Sequence, residues 1–536
     1  MPENKSQSFL HGAAILAAGV VIMKILGAIY KIPLGNLLGD EGYAMFLAAY
    51  NVYNVFLTIT TAGLPVALSR MVSEARTLGR ENQVQRIFTA ALKILFIAGL
   101  VCTVFMMIAH EWIADAMENI EAADSILALA PCVVIVCVLS AYRGYIQGHG
   151  NMKPTTISQV IEVLVKVIVG LILCWLSVRS GQRLSLSSAG AIFGVTAGGL
   201  VALIYIWRSK RKNYPLPATP ASDVPDPTRV IVKKFLMIAI PITLGSSLMF
   251  LINFIYWYLI MKRLLLAAGF FYFIAKILYG IYGKAQTLYN LPASIITPLT
   301  VSVVPAIAAA VTRKNTRETM EITEASMRIS SVIALPMAVG LAVLSDPIMN
   351  VIYPNSSESG PMLLALLGVA AYFVCMALIM TAIMQAHGDV RYPVYSMALG
   401  GLVKIAVNYF LVGMPSVNII GAPVGTIACY IVMCAADFIF MRRCMEEKPS
   451  LRKILARPVL SAAVMGAAAW AVYGLSSKLL GGGELSWLTM AICMVLAVCV
   501  AVVVYLVMII ATRAITMDDM KLIPKGEKLG RLLHIK

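Results

Sequence analysis

The chain has 536 residues, of which 60% are hydrophobic and 13% charged, with a formal net charge of +17 and a mean hydropathy of +0.85. A soluble domain is about half apolar and about a quarter charged, so this chain has too little polar surface to cover a soluble globule of its size. The basic excess does not indicate nucleic acid, because it gathers in alternate loops between apolar runs long enough to cross a bilayer, ~20 residues each.

In chain order, a short polar start leads into an apolar run from Phe9 towards Leu37, too long for a signal-peptide core and expected to remain as a span. Fourteen spans are predicted in all: 10–37, 44–66, 87–109, 126–148, 157–178, 187–208, 233–259, 271–304, 326–346, 361–386, 391–414, 419–441, 456–480 and 486–511. The eighth contains Pro292, Pro298 and Pro305, which predicts a bent helix lining something polar. After the sixth, residues 213–228 carry five prolines and predict an extended linker. The expected units are therefore an N-terminal lobe (1–212), the linker (213–228), a C-terminal lobe (229–445), and a last pair of helices with a basic tail (446–536). The fold class is an all-α polytopic membrane protein.

The basic loops, such as that holding Arg70, Arg76, Arg80 and Arg86 and that holding Arg208, Lys210, Arg211 and Lys212, alternate with basic-poor ones. One of the latter is acidic (Glu111, Asp115, Glu118, Glu121, Asp124). This asymmetry predicts both termini in the cytoplasm, an even number of spans, and basic loops facing anionic inner-leaflet lipids. The ten cysteines lie almost entirely in apolar stretches without CxxC spacing and read as small hydrophobes.

An internal repeat divides the chain. Gln147-Gly-His149-Gly150 returns as Gln385-Ala-His387-Gly388, and Leu164-Val165-Lys166 returns at the same offset as Leu402-Val403-Lys404. Both copies of the histidine loop fall on the basic side, so the halves share an orientation. Parallel repeats of this kind are a transporter architecture.

Ionisable groups inside spans each cost at least ~2.5 kcal/mol unless paired or hydrated, and they are the candidate functional positions. Lys24 and Lys31 lie two turns apart on one face of the first span. Lys404 and Asn408 lie one turn apart on the eleventh, and Asn290 lies on the eighth. Lys24 and Lys404 sit mid-span without a local acid, which points to a water-filled cavity. Glu162 and Lys166 are spaced to pair at i,i+4, as a structural ion pair or a coupling site. Lys31, Lys276 and Asp437 read equally as functional groups or as side chains reaching the interface. Asn51, Asn54 and Asn253 read equally as substrate contacts or as interhelical hydrogen-bond partners. The excess of intramembrane lysine over carboxylate predicts an anion-attracting cavity, suited to a phosphate or pyrophosphate. No nucleotide-binding or metal-protease motif is present, so no cofactor is expected. Energy then comes from the membrane potential, an ion gradient or substrate flux.

The stretch Lys24-Ile-Leu-Gly-Ala-Ile-Tyr-Lys31-Ile-Pro33, continuing to Gly39-Asp40-Glu41-Gly42, resembles the first helix and following loop of the MurJ/stage V sporulation protein B group. That group belongs to the MOP (multidrug/oligosaccharidyl-lipid/polysaccharide) exporter superfamily. Ala62-Gly-Leu-Pro65, Leu278-Tyr279-Gly280 and Tyr289-Asn290-Leu291-Pro292 extend the resemblance along the chain. It implies a two-lobed flippase working by alternating access in a bacterial cytoplasmic membrane, and no enzymatic activity. The implied substrate is an undecaprenyl-pyrophosphate-linked sugar such as the peptidoglycan precursor lipid II, in general wall growth or sporulation, with cell-wall synthesis proteins as partners. Lys24 and Lys31 match basic cavity positions, Asp40 an acidic position after the first helix, and Arg263 a further cavity arginine. The chain departs from MurJ proper in having lysine rather than arginine at 24 and 31 and Asn51 and Asn54 where arginine is more frequent, and from the sporulation-protein-B-like branch in having Asn253 where an acid is expected. A cation-coupled multidrug exporter of the same superfamily is the alternative. A membrane glycosyltransferase or polymerase is less favoured, since the longest external loop (110–125) is modest.

Overall fold

In the computed structural model the described residues are 3–61, 63–214, 223–354, 356–388, 391–445, 448–481 and 486–515, with side chains left undescribed at 3–18, 59–61, 244–251 and several single positions, Asn253 among them. The described residues form sixteen α-helices and two short 3-10 turns, with no strand. The helices are α1 (Glu3–Thr61), α2 (Leu64–Thr77), α3 (Glu81–Ile108), α4 (His110–Ala116), α5 (Ala123–Gly148), α6 (Lys153–Arg179), α7 (Leu184–Asn213) and α8 (Thr228–Leu266). They continue as α9 (Tyr272–Thr312), α10 (Thr316–Val343), α11 (Ser345–Ile352), α12 (Gly360–Ala386), α13 (Arg391–Leu411), α14 (Gly421–Cys444), α15 (Leu451–Gly481) and α16 (Trp487–Thr512).

Ten helices among the described residues are long and apolar enough to cross a membrane. They coincide with ten of the fourteen predicted spans. The other four predicted spans fall on α1, α8 and α9, and the chain is a multi-pass membrane protein. α1 carries two of them, interrupted at Gly39, whose backbone (φ 67°, ψ −170°) is non-helical. That positive φ suits glycine, and it turns the chain between Lys31 and the aromatic-rich stretch that follows.

The chain divides into two compact units, Met1–Met261 and Lys262–Lys536. The sequence-based boundary begins the second lobe at 229, whereas the contacts carry the first unit along α8. Its entry is tied down by the end of the predicted linker. Asp223 accepts the backbone N–H groups of Asn82 and Gln83 at 2.9 and 3.0 Å, capping α3. Asp226 pairs with Arg80 at 3.1 Å and exchanges hydrogen bonds with Gln83, and Lys234 meets Glu74 at 3.1 Å. The described part of the linker is therefore docked on the α2–α3 turn.

In the first unit α6 and α7 pack backbone to backbone. A Cβ on Gly194 would meet Gly170 and the Lys166 carbonyl at 2.6–2.7 Å, and one on Gly198 would overlap the Glu162 carbonyl. In the second unit, methionines from α10, α12 and α14 fill one core (Met327, Met376, Met380, Met384, Met441). α15 and α16 seat on α10 through Met465, Ala469 and the Tyr505 hydroxyl, which donates to the Val332 carbonyl at 2.7 Å.

The repeat is visible as helix boundaries. α5 ends at Gly148 and α12 at Ala386, and α6 starts at Lys153 and α13 at Arg391, so each pair is offset by 238 residues. His149 and His387 each donate Nδ1–H to the carbonyl four residues earlier at 2.9 Å, and Gly150 and Gly388 follow with φ +81° and +89°.

Candidate functional site

Seven residues separate Lys24 from Lys31, and α1 and α6 pack side by side, which brings Lys31 and Lys166 to one aromatic platform. Tyr43, Phe46, Tyr50 and Tyr53 recur at three- and four-residue spacing on α1 and so form a ring column. Tyr43 and Phe46 stack at 5.8 Å, Phe46 and Tyr50 at 5.7 Å, and Tyr30 meets Phe46 edge-on at 5.9 Å. Lys31 Nζ lies 5.6 Å from the Tyr50 ring centre. Lys166 Nζ lies 5.4 Å from the same ring and 5.2 Å from that of Tyr30. Tyr30 is itself fixed, donating its hydroxyl proton to the Ala191 carbonyl of α7 at 2.8 Å. Contacts of this kind hold an ammonium by ~0.5–2 kcal/mol each without neutralising it.

Glu162 corrects the expected i,i+4 pair. Its carboxylate accepts from Arg143 on α5 at 2.8 Å, with the two side chains 21% and 12% exposed, and Arg143 Nε also donates to Ser158 Oγ at 2.9 Å. The planar guanidinium offers a fork that satisfies both acceptors at once, so Glu162 does not draw Lys166 away from the ring site. The cluster therefore carries Lys31, Lys166 and a neutralised Glu162–Arg143 pair. Lys24, exposed, lies two turns before Lys31 on the same face of α1. The sum is positive.

The remaining predicted positions are distributed differently. Asp40, half-buried, follows the Gly39 break. Asn51 and Asn54 are half-buried beside Tyr50, and the Asn54 carbonyl accepts from Thr58 at 2.7 Å. Asn253 has its side chain outside the described residues. In the second unit Arg263 stacks on Tyr409, 4.0 Å from its ring centre, and fills the space over Gly413. Asn290 is exposed and donates to its own helix at Gln286. Lys404, the counterpart of Lys166 in the repeat, is 7% exposed, and Asn408 Nδ2 donates to its carbonyl at 2.7 Å. Asp437 is wholly buried on α14. Lys276 and Lys284, also buried, sit over the rings of Tyr272 and Tyr353 at 5.3 Å. Among the described residues no group of three metal-ligating side chains comes together.

Sequence reasoning missed Tyr30, Tyr50 and Arg143. The tyrosines were findable, since Tyr43, Phe46, Tyr50 and Tyr53 share one helical face. Arg143 reads in the sequence as a loop cation.

Residues 9–311 match the family model for polysaccharide biosynthesis proteins. The chain belongs to that family. Stage V sporulation protein B of Bacillus subtilis (strain 168) is 26% identical over 423 residues, 78% of this chain and 80% of that protein. The lipid II flippase MurJ of the same organism is 26% identical over 488 residues, 86% of this chain and 88% of that protein. Among solved structures, lipid II flippase MurJ in an inward closed conformation superposes with a TM-score of 0.68 at 14% identity, covering 92% of this chain and 97% of that one. An inward-facing MATE family transporter of the MOP superfamily gives 0.64 at 16% identity, covering 80% and 97%. The fold is thus the one shared by these two solved structures, and the relatives include both proteins of the group that the stretch Lys24–Gly42 resembles.

Proposed function

We propose that this protein is a flippase that carries a polyprenyl-pyrophosphate-linked sugar across a bacterial cytoplasmic membrane, with both termini in the cytoplasm. The observation that carries this reading is the uncompensated Lys31–Lys166 pair on the Tyr30/Tyr50 platform. Two cations held by rings, with the nearby carboxylate already occupied by Arg143, leave a positive site for a diphosphate. The relatives named for lipid II flipping and sporulation support the substrate class, and lipid II is the first substrate to test. In this reading Lys24 extends the anion site, and Asp40, Asn51 and Asn54 supply polar contacts for the sugar. The membrane potential or an ion gradient supplies the energy, with the buried Asp437 as a candidate coupling group. No catalytic step and no cofactor are required, and cell-wall synthesis proteins are the expected partners.

The test is rescue of a bacterium depleted of its own lipid II flippases, at matched membrane expression, by wild type, Lys31→Ala and Lys166→Ala. Rescue by wild type alone supports both substrate and site. Rescue by all three keeps the substrate and removes the site. Failure of wild type shifts the substrate to another lipid-linked polymer.

One cavity favours a second reading. A pocket of about 510 Å³ is lined by Phe56, Phe105, Trp112 and Tyr258 with Asp115 and Glu118 on it, a combination suited to an amphipathic cation. Efflux of ethidium lost on Trp112→Ala, with rescue unaffected, supports multidrug export.

A further inference from the structure

Four cations crowd the end of α7: Arg208, Lys210, Arg211 and Lys212. Two of them are engaged with rings. Arg211 stacks on Trp207 at 4.1 Å, and Lys210 lies 4.6 Å from the Phe88 ring centre and 5.1 Å from that of Tyr145. The other two, Arg208 and Lys212, are one turn apart, exposed, and without an ion pair or hydrogen bond among the described residues. Both line one groove of about 540 Å³ whose walls are Ile161 of α6 and Val201, Ile204 and Tyr205 of α7.

The shape follows from the packing of α6 and α7. Their backbones touch at Gly194 and Gly198, and the groove begins one turn beyond, on the outer face. Val201 and Ile204 are 40% and 42% exposed, so the lower wall is an open apolar surface. Tyr205, on the groove wall one turn before the cations, is the kind of amphipathic ring that favours a membrane–water interface. Charge thus lies at one end and apolar surface at the other along a single groove.

We infer that this α6–α7 groove is a binding site for an anionic phospholipid, its phosphate held by Arg208 and Lys212 and one acyl chain laid along Val201 and Ile204. On the orientation proposed above, the site faces the inner leaflet, where anionic lipids reside. The occupant rests against the back of α6 at Ile161, next to Glu162, so it is placed to stiffen the helix that carries Lys166.

The test uses the full-length protein purified in a neutral detergent, reading thermal stabilisation on titration with phosphatidylglycerol, phosphatidylcholine and glycerol 3-phosphate. Wild type is expected to respond to phosphatidylglycerol at lower concentration than to phosphatidylcholine and not to respond to glycerol 3-phosphate. The double variant Arg208→Gln/Lys212→Gln should require roughly thirtyfold more phosphatidylglycerol, from two basic contacts of ordinary strength. Val201→Trp, which fills the apolar wall and leaves both charges, should also lose the response. The control pair Lys448→Gln/Arg452→Gln removes equal charge elsewhere and should leave it intact. An unchanged response in either groove variant overturns the proposal. So does an equal loss in the control pair, or stabilisation by glycerol 3-phosphate alone, which would mark a site for a free phosphate.

Discussion

Arg143 of α5 reaches across to Glu162 of α6, with 2.8 Å between Nη2 and Oε2, while Lys166 one turn further along α6 lies over two tyrosine rings. The carboxylate goes to the cation whose fork also reaches Ser158, and the other cation stays available to an anion. Removing Arg143 therefore has two effects. Arg143→Ala leaves Glu162 half-buried without its partner, at a cost on the order of 2 kcal/mol. It also lets Glu162 compete for Lys166. A lower Tm and weaker transport are expected, with both restored in part by Arg143→Ala/Glu162→Gln. An additive double variant would show that the two residues act independently.

The role of the Tyr50 ring separates from that of its hydroxyl. Tyr50→Phe keeps the ring under Lys31 and Lys166 and should retain transport within about threefold, whereas Tyr50→Leu should lose about tenfold, the loss of ~1 kcal/mol or more of cation–ring attraction. Equal loss in both variants would assign the function to the hydroxyl instead. The assay is flipping of a fluorescent lipid-linked sugar in proteoliposomes.

Close packing of α6 and α7 predicts a sharp size limit at Gly198. Gly198→Val places carbon where the Glu162 carbonyl stands, and overpacking of this kind costs ~1–3 kcal/mol. Gly340→Val, with open space around its Cβ position, should change the Tm far less. Similar shifts for the two would mean that α6 and α7 give way without strain.

His149 gives a pH dependence. Burial lowers its pKa from the ordinary 6.5, with Arg76 and Lys210 pushing the same way and the Tyr145 carbonyl and Glu81 opposing. A histidine whose folded pKa is depressed binds fewer protons folded than unfolded. Stability is then full above about pH 6.5 and declines as pH falls through that value towards the folded pKa. The Tm measured from pH 7.5 to 5 should fall more steeply in wild type than in His149→Gln. Parallel slopes would remove His149 as the cause.

The spans were legible because bilayer thickness imposes a run length that no other feature of the chain imitates. The turn at Gly39 was legible as a gap between runs. What the sequence hides is choice among partners. Spacing places Glu162 within reach of Lys166, but Arg143, fifteen residues before Ser158 in the chain, wins it because two helices pack there and its fork satisfies Ser158 as well. For the same reason Lys166 and Lys404, equal by repeat and by span, differ in place: one meets an aromatic column on α1, the other is packed on α13 where Gly400 brings Cys429 of α14 close. Repeats fix helix boundaries; neighbours fix what each side chain does.

The docking of the linker has its own test. Asp223→Asn weakens the charge-assisted cap of α3 and should cost ~1 kcal/mol, read as faster protease cleavage within 213–228. Unchanged cleavage would mean that Asp226 and Lys234 suffice.

Tyr214 rests against His149, 4.8 Å between ring centres, and Asp223 is fastened to the α3 cap, so the covalent link between the first six spans and α8 is knotted down at both of its described ends. Only residues 215–222 lie between the knots. Loop-closure cost rises by only ~0.6 kcal/mol for each doubling of length, so inserted chain there draws little from either anchor. A reporter domain spliced between residues 215 and 222 leaves both knots in place, and offers a handle for following the protein at work.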